Sequence, residues 1–262
     1  MESRNPVFAR TEAMAGTGRA GAAAVDAATI ERLEQSYAGP SAGPLQTRRM
    51  TYNDVIVKTG MTFGVLLVGA VVGWVAPQLF WIGFIGGLVL GLVNAFKREP
   101  SPALIIAYGA FMGVGLGGIS FVFQSQWEGI VQQAVLGTLA VFAVALFAYR
   151  SGRIRVTPKF QRMVIIGMMG YLAFSLVNLV LVLFGFGDGW GLRSGWLGIV
   201  AGLIGVALAA FSLVLDFDFI DKGVANGIPE KYAWTAAFGL VVTLVWLYLE
   251  LLRLIAIFSG NE

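Results

Sequence analysis

The chain has 262 residues, of which 57% are hydrophobic and 13% charged, with a mean hydropathy of +0.78 and a formal net charge of +3. A soluble domain is roughly 45–50% apolar and about 25% charged, so this much apolar surface requires lipid. The chain has no cysteine and no histidine, which excludes disulfides, thiolate or imidazole metal sites, a cysteine nucleophile and a histidine switch, and leaves proton sensing to carboxylates.

Residues 1–50 are rich in Ala, Gly, Ser and Arg and hold no apolar run long enough for a signal-peptide core. They are expected to form a disordered cytoplasmic tail, with 51–262 as the membrane domain. A short amphipathic stretch, Ala27–Tyr37, carries Ile30 and Leu33 but no identifiable chemistry. Gly16, Gly18 and Gly21 match the dinucleotide-binding spacing, yet no strand feeds them and no helix start follows, so the match is fortuitous.

The apolar runs that follow are long enough to cross a ~30 Å hydrocarbon layer as helices. They predict seven spans: Val55–Val75, Leu79–Phe96, Ala103–Phe123, Ile130–Tyr149, Met163–Phe186, Trp196–Phe217 and Ala236–Phe258. The fold class is therefore all-α, a polytopic bundle. Small residues at i,i+4 spacing, Gly113 with Gly117 and Gly87 with Gly91, offer faces for close helix contact.

Lys and Arg are retained on the cytoplasmic side of membranes. Arg48, Arg49, Lys58, Lys97, Arg98, Arg150, Arg153, Arg155, Lys159, Arg162, Lys222 and Lys231 all fall on one side if the N-terminus is cytoplasmic. The other side then holds only Arg193, with Arg253 near the end of the last span, and the C-terminus lies outside. Trp74, Trp81, Trp127, Trp190 and Trp196 fall near the outer ends, as interfacial aromatics do. Gly185, Gly187 and Asp188 resemble an element of intramembrane aspartyl proteases, but Asp188 lies in a loop and its would-be partner Asp216 comes after it. With no Cys or His and no credible serine nucleophile motif, the chain is not expected to be an enzyme.

The informative acids are Asp216, Asp218 and Asp221 at the end of the sixth span and Glu250 inside the seventh. A carboxylate in the bilayer centre costs about 2.5–3.5 kcal/mol on insertion scales, so it normally faces a cavity or a partner and marks an ion or proton path. Glu250 is expected to face the bundle interior near Arg253 and the sixth helix. Arg253, three residues on, is also its structural explanation, an ion pair that fixes the helix. The three aspartates are expected to ring the cytoplasmic mouth, with at least one approaching the last helix, or else to sit in the wet interface without further role.

Several stretches carry a resemblance: Asn5-Pro-Val-Phe8, Thr59-Gly-Met-Thr-Phe-Gly64, Ser101-Pro-Ala-Leu-Ile-Ile-Ala-Tyr108, Gly115-Leu-Gly-Gly-Ile-Ser120, Leu215-Asp-Phe-Asp-Phe-Ile220 and Trp246-Leu-Tyr-Leu-Glu250. In order and position they resemble the Bax inhibitor-1/YccA family, the transmembrane Bax inhibitor motif family, in its bacterial branch. The Arg-over-Lys bias and Ala/Gly richness resemble a high-GC, actinobacterial genome. The resemblance implies a bundle whose last helix is central, wrapped by the other six, and a pH-sensitive calcium leak at the plasma membrane. It also implies that two carboxyls, matching Asp216 and Glu250, share a proton and gate the path, with an arginine on the second helix as a latch. The second span here has no arginine, and Arg253 is the candidate substitute. No cofactor is expected; the ligands implied are protons and a calcium ion passing Asp216 and Glu250. The expected partner is the lipid bilayer, and no nucleic acid. Two other readings stay open, a proton-coupled secondary transporter and a membrane scaffold without transport.

Overall fold

A computed structural model of the protein describes residues 48–185 and 191–260. The expected tail up to residue 47, the glycine motif and the amphipathic stretch within it, Trp190 and Asp188 lie outside the described residues. The described chain forms seven long helices: α1 Tyr52–Val75, α2 Phe80–Phe96, α3 Pro102–Gln126, α4 Ile130–Arg150, α5 Pro158–Leu183, α6 Gly195–Ala225 and α7 Ala233–Ser259. Each is long and apolar enough to cross a membrane, and their lipid-facing sides carry side chains such as Val75, 78% exposed, and Phe96, 84% exposed.

The helix starts follow from local chemistry. Thr51 caps α1 in a reciprocal box, accepting from the Asp54 amide at 3.2 Å while the Asp54 carboxylate accepts from the Thr51 amide at 2.9 Å. Pro102 and Pro158 occupy first-turn positions of α3 and α5, where their missing N–H costs nothing. Pro77 stops α1 and opens a 3-10 turn, Pro77–Leu79, into α2. The sixth span runs longer than expected, to Ala225 instead of Phe217, so Asp218 and Asp221 are helical residues.

Helices α1 and α3 run parallel in close contact. A Cβ at Gly113 would overlap the Leu66 carbonyl oxygen, and one at Gly117 the Ala70 carbonyl oxygen, one turn further on. On its other side α3 meets α2 antiparallel, with Gly87 against Met112 and Gly91 against Tyr108. Backbones can approach this far only where side chains are absent. Helix α7 is the most buried of the seven. It packs against α1, α3, α4 and α6; Phe84 and Leu90 of α2 join its cluster around Val241 and Val245, and Tyr171 of α5 bonds its Glu250. The last helix is thus central.

Its contact with α6 is antiparallel and lined by glycine. Gly202 faces Leu254 and Gly205 faces Glu250, whereas Asp216 lies against Gly239. The packed chain also begins before the expected boundary at residue 51. The Met50 amide donates to the Ile228 carbonyl (2.8 Å) and the Glu230 amide to the Arg48 carbonyl (2.7 Å), and Met50 is 2% exposed. Residues 48–50 are therefore not free tail; they find main-chain partners on the α6–α7 connector, which also ends in a 3-10 turn, Glu230–Tyr232. The two ends of the bundle are called below the Arg48 end and the Arg193 end.

Candidate functional site

Glu250 lies in the half of α7 toward the Arg193 end and is 4% exposed. Its carboxylate is fully engaged. Oε1 accepts from the Tyr171 hydroxyl at 2.7 Å and from the Trp246 indole N–H at 3.2 Å. Oε2 accepts from Arg253 Nη2, three residues along the same face. Arg253 Nη2 also donates to the Tyr171 oxygen at 3.1 Å, closing a ring of three side chains.

A second guanidinium completes the cluster. Arg193 sits on the 3-10 turn Gly191–Arg193 ahead of α6, a turn held by the Leu192 amide donating to Asn178 Oδ1 at 2.6 Å. From there it reaches in, with Nη1 3.9 Å from Glu250 Oε1, Nη2 donating to Ser175, and its guanidinium carbon 5.2 Å from the Tyr171 ring centre and 5.7 Å from that of Phe174. Burial, reinforced by the neighbouring Arg253 charge, pushes the Arg193 guanidinium below its ordinary pKa, against the opposing pull of Tyr171 and Glu250. Gly205 of α6 makes room: a Cβ there would lie 2.6 Å from the Tyr171 oxygen and 2.8 Å from the Glu250 carboxyl carbon.

Asp216 stands apart. It comes 11 residues after Gly205 on α6, about 16 Å further along the helix at 1.5 Å per residue. Its Oδ2 accepts from the Thr243 hydroxyl of α7 at 2.7 Å, and no ion pair forms at Asp216 among the described residues. The structure therefore does not bring Asp216 and Glu250 together as a proton-sharing pair; their helices are antiparallel and each acid meets a different part of the other helix. Asp218 pairs with Lys222 one turn on, at 2.6 Å. Asp221 accepts from Tyr52 of α1 (2.9 Å) and Tyr149 of α4 (2.8 Å), tying three helices at the Arg48 end. Of the three aspartates, Asp216 is the one bonded to the central helix.

The Arg48 end also holds a network that the sequence did not single out. Glu230, 6% exposed, accepts from Lys58 Nζ at 3.0 Å and lies 3.6 Å from Arg48 Nε. Arg48 in turn is 3.6 Å from Asp54, and Lys58 also donates to the Glu230 carbonyl at 3.2 Å. Nearby, Lys231 donates to the exposed Glu99 at 2.7 Å, which holds that carboxyl below its ordinary range. Nothing in the sequence separates Glu230 from an ordinary loop acid. Arg193 did leave a signal, as the lone basic residue in the predicted outer connections; Tyr171, one aromatic in an apolar span, left none.

Among the described residues no group of three His, Cys, Asp or Glu side chains could hold a metal ion.

The fold and these buried polar groups define a polytopic α-helical membrane protein with ionisable side chains packed around a central last helix. The Bax inhibitor 1 like family matches residues 5–260 of the sequence. The chain belongs to that family. No curated protein matches the sequence.

Proposed function

We propose that the protein is a pH-responsive cation leak, with calcium as the ion, in which Asp216 is the carboxyl that exchanges a proton. The observation that carries this reading is the contrast between the two intramembrane acids. Glu250 is saturated by two donors on one oxygen and a guanidinium on the other. Asp216 has the Thr243 hydroxyl and no counter-charge among the described residues. A carboxyl so placed is either the neutral acid or an anion that keeps water or a cation beside it. Losing the proton therefore leaves an oxygen anion at the α6–α7 contact, where a hard, oxygen-seeking cation such as calcium is attracted. In this reading the two acids divide the work assigned to a dyad: Asp216 responds to pH and the Glu250 cluster fixes the helices. The protein resides in the plasma membrane with the Arg48 end cytoplasmic, and it catalyses no reaction.

The test is calcium flux into proteoliposomes across the acidic to neutral range. Wild type is expected to show a flux that changes with pH, and Asp216→Asn, which keeps an acceptor for Thr243, a flux that does not. Flux no greater than that of empty liposomes would favour a scaffold; flux that follows an imposed proton gradient would favour coupled transport.

A further inference from the structure

The Glu250 cluster is unbalanced. Two guanidiniums, Arg193 and Arg253, surround a single carboxylate, and no other acid pairs with either among the described residues. One positive charge is left over in a region where Arg253 is 6% exposed and the Arg193 side chain 18% exposed. The Nε–H groups of both arginines are buried and have no hydrogen-bond acceptor among the described residues. Native structures seldom leave such donors unpaired, and an uncompensated buried charge is costly. The surplus cannot be shed by deprotonation, because arginine keeps its proton in proteins.

We infer that the Arg193–Arg253 cluster is a binding site for a small monovalent anion of the chloride type. The chemistry fits: guanidinium is weakly hydrated, and the Nε–H of each arginine is a buried donor without a partner among the described residues. Size follows from the packing. Gly205 already lies within 2.6 Å, by its absent Cβ, of the Tyr171 oxygen, and Phe174 and Tyr171 sheathe the Arg193 face. Packing this close excludes sulfate or a lipid headgroup, so the anion must be a single small ion that sheds its water. Arg193, carried on the connector turn, is the more accessible of the two arginines, so the ion enters from the Arg193 end. Binding neutralises the cluster and locks α5, the turn, α6 and α7 together.

The experiment is thermal unfolding of the purified protein in lipid nanodiscs, comparing chloride with gluconate at equal ionic strength so that screening is matched. A ligand bound to the folded state raises Tm with saturation, so chloride and bromide should each raise it by about 2–4 °C, whereas sulfate should give only the non-saturating rise of an excluded kosmotropic salt. Arg193→Gln should lose the halide effect, with Arg193→Lys keeping part of it. In a bromide-soaked crystal, anomalous density should appear beside Arg193 and Arg253. Superimposed chloride and gluconate curves for wild type would overturn the site, as would an undiminished halide shift in Arg193→Gln. If Arg193→Gln does not fold, the wild-type halide comparison and the bromide position decide. No gradient is involved, so the result is independent of the cation flux and of Asp216.

Discussion

Arg253 stands one turn beyond Glu250 on the central helix and donates directly to its carboxylate, with both side chains shielded from solvent. A pair of this kind is worth most as a pair. Removing one partner from a buried ion pair costs about 3–5 kcal/mol, because the other charge stays behind unmatched. Glu250→Gln is therefore expected to lower Tm strongly, since it strands two guanidiniums. Arg253→Gln should do less harm, because Arg193 remains beside the carboxylate at 3.9 Å. The double variant should be more stable than the sum of the single losses, a positive coupling measurable in a double-mutant cycle. Where Glu250→Gln protein can be reconstituted, its flux should still respond to pH; a flat response would return the proton switch to Glu250.

The Glu230–Lys58 contact at the opposite end makes a second prediction of the same form. Lys58 belongs to α1 and Glu230 to the turn that opens α7, and the pair is buried at 3.0 Å. Glu230→Gln, which strands Lys58, is expected to cost several kcal/mol, within the range of about 3–5 for an orphaned buried charge, and Lys58→Met less, because Arg48 remains 3.6 Å from Glu230. By contrast, Lys231→Ala breaks an exposed pair with Glu99, and its Tm should match wild type. A large loss in Lys231→Ala would mean that exposure is no guide to the strength of these pairs.

Glycine position, not glycine content, should govern packing. Gly117→Ala places a methyl group on the Ala70 carbonyl oxygen, so the α1–α3 contact must open, at about 1–3 kcal/mol or more for overpacking. Gly60 lies on α1 with nothing within 4 Å of an added Cβ. Gly60→Ala should be neutral or stabilising by up to about 1 kcal/mol, from helix propensity alone. Equal effects in the two variants, by thermal unfolding in detergent, would contradict the helix contact described.

Orientation is testable because the chain has no cysteine. Ser151→Cys and Glu128→Cys place single exposed thiols at opposite ends of α4. An impermeant maleimide added to intact cells is expected to label Glu128→Cys, with Ser151→Cys labelled only after permeabilisation. The reverse pattern would put the Arg48 end outside.

The seven helices were legible because crossing lipid imposes length and apolarity on each segment independently, and a single sequence displays both. Close packing was legible at Gly113 and Gly117, where small residues at i,i+4 spacing offer a face to a neighbouring helix, but the identity of that helix was not. The site was legible only in part. Glu250 and Arg253 announce each other by spacing on one helix, but their coupling to Tyr171 and Arg193 depends on which helix faces which, a matter of rotation that an apolar span does not encode. The proton sharing that the resemblance implied for Asp216 and Glu250 could not be settled for a related reason: residue matching fixes the helix a side chain belongs to, whereas depth along two antiparallel helices depends on the connector between them. Glu230 was invisible because its burial is created by Arg48 and Lys58, which arrive from the other end of the sequence.

The main-chain pairing of Arg48 and Met50 with the α6–α7 connector gives the tail a mechanical address. Residues 1–47 are joined covalently to the bundle at the point where the start of α1 is stitched to the joint between the two helices that carry Asp216 and Glu250. A pull on residues 1–47 would therefore reach first the joint between these two helices, outside the lengths that cross the membrane. Removing residues 1–47 leaves the stitch in place; removing residues 48–50 as well deletes it while keeping the Thr51 cap of α1.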